Sequence, residues 1–155
     1  MIIAEAILGF GDKAFEIAEM INPIEHSKNK EEAKKFKLEP YIIPADVYSS
    51  KDLAGRGGWN WYTGSSSWYF KAVIEYILGL KISKGYLSIE PCISKEWKEY
   101  ELQYKYKTSI YKIKVRNNDG KNTGIKSFYL NGEEIKEKRI LLQDNGKIYN
   151  IEIFM

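Results

Sequence analysis

The chain has 155 residues, 44% of them hydrophobic, with 24 basic against 21 acidic side chains and a formal charge of +3. That length can bury a core of its own, as one domain or two small ones, and scattered lysines in a near-balanced charge argue against nucleic acid as a partner. A single cysteine, Cys92, excludes an intrachain disulfide and fits a reducing cytoplasm. No apolar run approaches the ~20 residues of a membrane span, and Glu5 interrupts the short apolar start Met1–Ala4, so neither an anchor nor a signal peptide is expected.

From Met1 to about Ile21 the apolar spacing is helical, with one stripe at Ile3, Ala6, Ile7 and Phe10 and another at Phe15, Ile17, Ala18 and Ile21. Gly9 to Asp12 breaks the run, with glycine ending the first helix and Asp12 expected to cap the second. The first helix has no capping sequence ahead of it, as when a chain starts inside an element. Asn22-Pro23 closes the second. A Lys-rich loop follows, with a helical turn expected over Glu31 to Phe36, and His26, the single histidine, is expected to be a solvent-exposed side chain of that loop. Glu39 to Tyr48, with two prolines and an apolar run, reads as extended and buried. Its carboxylates, Glu39 and Asp46, can hold a sugar hydroxyl, act as an acid or base, or simply accept backbone hydrogen bonds.

The densest stretch is Gly55 to Leu80, GRGGWNWYTGSSSWYFKAVIEYILGL. Gly55, Gly57 and Gly58 permit tight turning and close approach. Trp59, Trp61, Tyr62, Trp68 and Tyr69 crowd around the small hydroxyl cluster Thr63 to Ser67. A helix is expected from about Ser66, with Tyr69, Val73, Tyr76, Ile77 and Leu80 inward and Lys71–Glu75 as an exposed i,i+4 pair. A hydroxyl-rich loop feeding a helix start suits an anion and also suits an ordinary N-cap. After this unit the period changes to two. Strands are expected at Tyr86–Ile89, over Leu102–Tyr106 and Tyr111–Val115, at Phe128–Leu130 before an Asn131-Gly132 turn, at Ile140–Leu142 before Asp144-Asn145-Gly146, and over Tyr149–Ile153. They are expected to pair antiparallel as a small β-sandwich, with the boundary near Lys81 to Gly85.

The wording GRGGWNWYTGSSSW resembles the signature near the end of the catalytic barrel in inverting glycoside phosphorylases of glycoside hydrolase family 94. AEAILGFGDKAFE (Ala4–Glu16), INP (Ile21–Pro23), EPYIIPADVYS (Glu39–Ser49), ILGL (Ile77–Leu80) and PCIS…W (Pro91–Trp97) extend the likeness collinearly over about Met1 to Val115. The resemblance implies an α+β chain: residues 1–82 as the last helices of an (α/α)6 barrel, and 83–155 as a C-terminal antiparallel β-sandwich. It implies phosphorolysis of a β-glucoside with inversion, in which one carboxylic acid protonates the leaving oxygen while phosphate attacks the anomeric carbon, so that no second carboxylate base is needed. Neither a metal nor a cofactor is implied.

Carried onto this sequence, the family's phosphate loop falls on Thr63, Gly64 and Ser65. Trp59, Trp61 and Tyr62 shape the adjoining sugar pocket, and Glu39 and Tyr41 lie beside it. The family's catalytic aspartate and phosphate histidine lie upstream and have no counterpart here; His26 does not align with the latter, and Arg56 is expected to brace the loop. The implied partners are therefore inorganic phosphate, a β-glucoside, and either a missing N-terminal part or a second copy of the chain. The chain alone is expected to be inactive. The alternative is a non-catalytic carbohydrate-binding or interaction domain.

Overall fold

In the computed structural model the described residues are 1–60 and 63–155, Thr63 by its backbone alone. Helix α1 (Ile2–Ile7) ends where Gly9 turns with φ +83°, and α2 (Gly11–Ile21) runs back beside it. The cap position of α2 is Phe10, which supplies no side-chain bond. Asp12 is not the cap: it already lies inside the first turn, and its carboxylate reaches out to the chain after the second strand. Pro23 is buried and a 3₁₀ turn (Glu25–Ser27) leads to α3 (Lys30–Phe36). Asn29 caps α3 by accepting from the Glu31 and Glu32 amides, the arrangement that makes asparagine a favoured N-cap.

Helix α4 spans Thr63–Lys71 and continues as a π-helical stretch, Ala72–Ile77. It therefore starts three residues earlier than the apolar period indicates. Thr63 to Ser67 form its opening turns and not a loop, because glycine and serine carry no apolar signal of their own. Lys71 and Glu75 do meet, at 3.9 Å. Leu80 leaves the helical face and opens a strand.

Strands β1 (Leu80–Ser83), β2 (Tyr86–Ile89) and β7 (Arg139–Leu141) form one antiparallel sheet in the order β1-β2-β7. The other sheet holds β3 (Glu99–Tyr106), β4 (Ser109–Arg116), β5 (Ser127–Leu130), β6 (Glu133–Glu134) and β8 (Ile148–Phe154), in the order β3-β4-β8-β5-β6. Strands β4 and β8 are parallel, against the expectation of an all-antiparallel arrangement. The cause is local. Before β8, Asp144 accepts from the Thr108 hydroxyl, and the Ser109 hydroxyl bonds the Asn145 amide group. The turn at 144–146 is thus docked on the turn that starts β4, so Ile110 pairs with Ile148 and both strands leave in the same direction.

Alternation decides which side of each strand is covered. On β4, Tyr111, Ile113 and Val115 are buried while Lys112 is exposed. These residues join Leu87, Ile89, Phe128, Ile151 and Ile153, and also Ala6, Ala14, Ala18 and Ile77 of the helices, in one continuous core. On the outer face Lys114 reaches both Glu99 and Glu101, and Arg116 reaches Glu99 and Glu152, so the exposed ladder is charge-compensated.

Candidate functional site

The glycines of the central stretch do three separate jobs. Gly55 turns the chain with φ +83°. At Gly57 a Cβ would run into the Leu38 side chain, and at Gly58 into the Asp46 carboxylate. Because these two positions are bare, residues 45–48 and 56–59 close on each other. The Ala45 amide donates to the Trp59 carbonyl (2.8 Å), Gly58 to Asp46 (2.8 Å) and Tyr48 to Arg56 (2.9 Å), while Gly57 donates to Phe36 at the end of α3 (2.9 Å). The result is a short ladder standing between α3 and the start of α4.

Two hollows border the ladder. A recess of about 410 Å³ is lined by Tyr48, Arg56, Gly58, Trp59 and Asn60 among others. A cleft of about 510 Å³ opens where Asp46 and Val47 face Ser65, Trp68 and Tyr69 of α4, with Ile3 and Ile17 behind. Trp59 is 71% exposed and Tyr41 73% exposed. The segment Glu39 to Tyr48 is less buried than its composition indicates: only Ile42 and Pro44 are buried, and Glu39, Ile43, Val47 and Tyr48 are half-buried. Glu39 is held in place by the Asn60 side-chain amide, which donates to its carboxylate at 3.3 Å. Asn60 was not legible as a partner, since the two are 21 positions apart.

Of the residues singled out in the sequence, Trp59 lines the recess, Glu39 is tethered beside it, and Ser65 lines the cleft. Gly64 is exposed on the first turn of α4, with open space around its Cα. Trp61 and Tyr62 lie outside the described residues, as does the side chain of Thr63. Arg56 forms its bonds here through the backbone, accepting from Tyr48 and donating to Leu53. His26 is not a freely exposed loop side chain. Its ring stacks on Phe36 with centroids 4.9 Å apart, and its Nε2–H donates to the Met20 carbonyl at 2.7 Å, so it braces the turn before α3. Cys92 is buried, and burial raises its thiol pKa above the ordinary value, which leaves it a core side chain. Among the described residues no three His, Cys, Asp or Glu side chains cluster as metal ligands, and no helix is long and apolar enough to cross a membrane.

Among the described residues a hydroxyl-rich helix start and a carboxylate tethered by Asn60 thus lie beside two hollows. The profile of the Glycosyl hydrolase 94 superfamily, catalytic domain, matches residues 1–79, ending one residue before β1. The cyclic beta-(1,2)-glucan synthase NdvB of Rhizobium meliloti (strain 1021) is 35% identical over 115 residues, which cover 74% of this chain and 4% of that protein. The N,N'-diacetylchitobiose phosphorylase of Vibrio proteolyticus is 33% identical over 136 residues, 86% of this chain and 16% of the relative. The solabiose phosphorylase of Paenibacillus borealis is 27% identical over 161 residues, 99% of this chain and 20% of the relative. The chain spans no more than a fifth of the length of these curated relatives. With its first half matched to the catalytic domain, the chain belongs to the glycosyl hydrolase 94 superfamily.

Proposed function

We propose that this chain is a segment of an inverting glycoside phosphorylase, contributing part of the phosphate and sugar pocket but not the catalytic acid. The observation that carries the reading is the opening of α4 on Thr63, Gly64 and Ser65, beside a cleft lined by Asp46 and Trp68. In this reading those three residues hold phosphate through backbone N–H groups and hydroxyls. Trp59, Trp61, Tyr62, Glu39 and Tyr41 contact the sugar, and the aspartate that protonates the leaving oxygen comes from elsewhere. General-acid assistance is typically worth about 10²–10⁴ in rate, and a phosphate without cationic partners lacks charge compensation. The isolated chain is therefore inactive.

Helices α1, α2 and α4 belong, in this reading, to the end of an (α/α)6 barrel, and the two sheets to a terminal β-sandwich, with the domains meeting near residue 82. Support comes from the apolar surface of the helical half: Ile7, Leu8, Phe10, Met20, Trp68 and Phe70 are each more than half exposed. Large apolar side chains exposed in such number on one half of a chain are the kind of surface that another part of a protein covers. The test is a phosphorolysis assay with inorganic phosphate and β-linked glucose and N-acetylglucosamine disaccharides, on the chain alone and after mixing with the upstream portion of a relative's catalytic domain. No sugar 1-phosphate from the chain alone, and release on mixing that Thr63→Ala abolishes, is the expected pair of results. Turnover by the chain alone would refute the reading. The solvent exposure of Tyr41, an aromatic side chain of the segment beside the recess, favours a second reading, glycan binding without chemistry, which predicts oligosaccharide affinity without any upstream portion.

A further inference from the structure

The outer face of the β1-β2-β7 sheet carries a feature that the phosphorylase reading does not use. A cavity of about 980 Å³ lies there, closed on one side by the end of α1 and on another by residues 123–125. The strand register places Lys81 opposite Ser88 and Ser88 opposite Arg139. Neighbouring strands are ~4.8 Å apart, so the backbone positions of Lys81, Ser88 and Arg139 form one row across the sheet, with Ser88 in the middle, while the Lys81 ammonium leans toward Glu90 and the Arg139 guanidinium toward Tyr86. Lys84 and Lys138 complete the rim, and the lining holds four cations against two carboxylates, Glu90 and Glu137.

Among the described residues, the cations of this face are mostly without carboxylate partners. On the five-stranded sheet Lys114 and Arg116 are each bound to two carboxylates. Here, only Lys81 has one, Glu90 at 2.5 Å. Arg139 has no carboxylate among the described residues and lies over the Tyr86 ring, 4.9 Å from its centroid, which fixes its position without neutralising it. Lys138 is tethered to the Ile125 carbonyl at 2.5 Å, a bond that likewise leaves its charge uncompensated. Lys84 and Lys138 sit in left-handed backbone conformations (φ 49° and 51°), two of the four lysines that do so among the described residues. Such a conformation is disfavoured for a long side chain, yet both instances point to the same rim.

We propose that this face binds a phosphoryl group, with Lys81 and Arg139 as its cationic jaws, the Ser88 hydroxyl as the donor between them, and Lys84 and Lys138 closing the rim. A dianion with three acceptor oxygens matches two flanking cations and a central hydroxyl, and charge-assisted bonds of this kind are the strong ones. Two sources share that chemistry, free phosphate and a sugar phosphate ester, and the inference does not depend on the role proposed for Thr63.

The test is a titration of the ¹⁵N-labelled chain with inorganic phosphate and, separately, with glucose 1-phosphate, at fixed ionic strength and against chloride. Saturable shifts of the Ser88 and Arg139 amides are expected. Arg139→Gln and Ser88→Ala, both outside the core, should each weaken binding, the former roughly tenfold through loss of a charge-assisted bond, while Thr63→Ala leaves these shifts unchanged. Saturation by both probes assigns free phosphate; saturation by the ester alone assigns a sugar phosphate. Shifts that stay linear and match those of chloride, or binding that survives Arg139→Gln unaltered, would overturn the proposal.

Discussion

Asp12 and Ser94 are joined across 82 positions: the serine hydroxyl donates to Asp12 Oδ1 at 3.0 Å, and the neighbouring Lys95 amide donates to the same oxygen at 2.9 Å. A residue in the first turn of α2 thereby fastens the helical half to the chain leaving β2. The Lys95 amide, ahead of the Ser94 hydroxyl, holds the Asp12 carboxyl below the usual carboxylate range, against a smaller opposing effect of burial. Its folded pKa is depressed, so the contribution is present above the unfolded value of ~3.9 and is lost as pH falls through the folded value. Asp12→Ala should cost about 1 kcal/mol at neutral pH, the hydrogen-bond value discounted for solvent access. Asp12→Asn keeps an acceptor and should lose less, but should flatten the acid limb of stability. Urea titrations between pH 2 and 7 would show it; an unchanged limb in Asp12→Asn counts against this account.

Gly11 sets two effects against each other. Alanine inside α2 gains up to ~1 kcal/mol of helix propensity. The added Cβ, however, would collide with the Ile93 backbone carbonyl, and forcing the helix away from that packed chain costs about 1–3 kcal/mol. The collision should win because a backbone atom cannot rotate aside. Gly11→Ala should lower the melting temperature, and a rise would show that the helix can slide at no cost.

Tyr100 donates its hydroxyl to the Leu78 carbonyl, at the end of the π-helical stretch, at 2.5 Å. Burial pushes its phenol well above the ordinary Tyr value. With the folded pKa raised, stability is whole below the unfolded value of ~10 and declines as pH climbs beyond it. Tyr100→Phe should cost about 1 kcal/mol at neutral pH and remove that share of the alkaline decline. Equal alkaline slopes for variant and parent would refute the assignment.

Tyr111 links the two sheets. Its ring stacks on Tyr149 at 4.8 Å within β4 and β8, while its hydroxyl accepts from the Gln143 amide at 2.7 Å and donates to the Gln143 carbonyl at 3.3 Å, just beyond β7. Tyr111→Phe preserves the stack and isolates the hydroxyl. About 1–2 kcal/mol should be lost, because a backbone N–H and a carbonyl are left without partners. Faster amide exchange at Gln143, with exchange at Tyr149 little altered, would locate the loss.

The strands with clean alternation, β3, β4 and β8, were legible because one face meets the core and the other meets water. β1 was hidden: Leu80 continues the apolar run of the preceding helix, and four residues are too few to establish a new period. The parallel pairing of β4 with β8 was equally invisible, since alternation says which residues face inward but not which strand lies alongside. At the candidate site the wording around Thr63 was readable as a segment. The closeness of Asp46 to Gly58, and the hold of Asn60 on Glu39, depend on how the ladder folds back, and no local pattern encodes that. His26 shows the same limit: a charged neighbourhood in sequence became a stacked ring in space once α3 carried Phe36 over it.

The position of β8 has a consequence for how the molecule comes into being. It lies between β4 and β5, and Met155 just after it is buried and donates its amide to the Arg116 carbonyl. During synthesis, then, β3 and β4 can form a hairpin early, but the central seam of their sheet stays open until residues 148–154 have emerged. A ribosome-bound nascent chain halted before that point would expose the unpaired edge of β4 and the apolar side of Tyr111, Ile113 and Val115, a surface that chaperones and proteases recognise. The sheet is thus sealed only once β8 has been made.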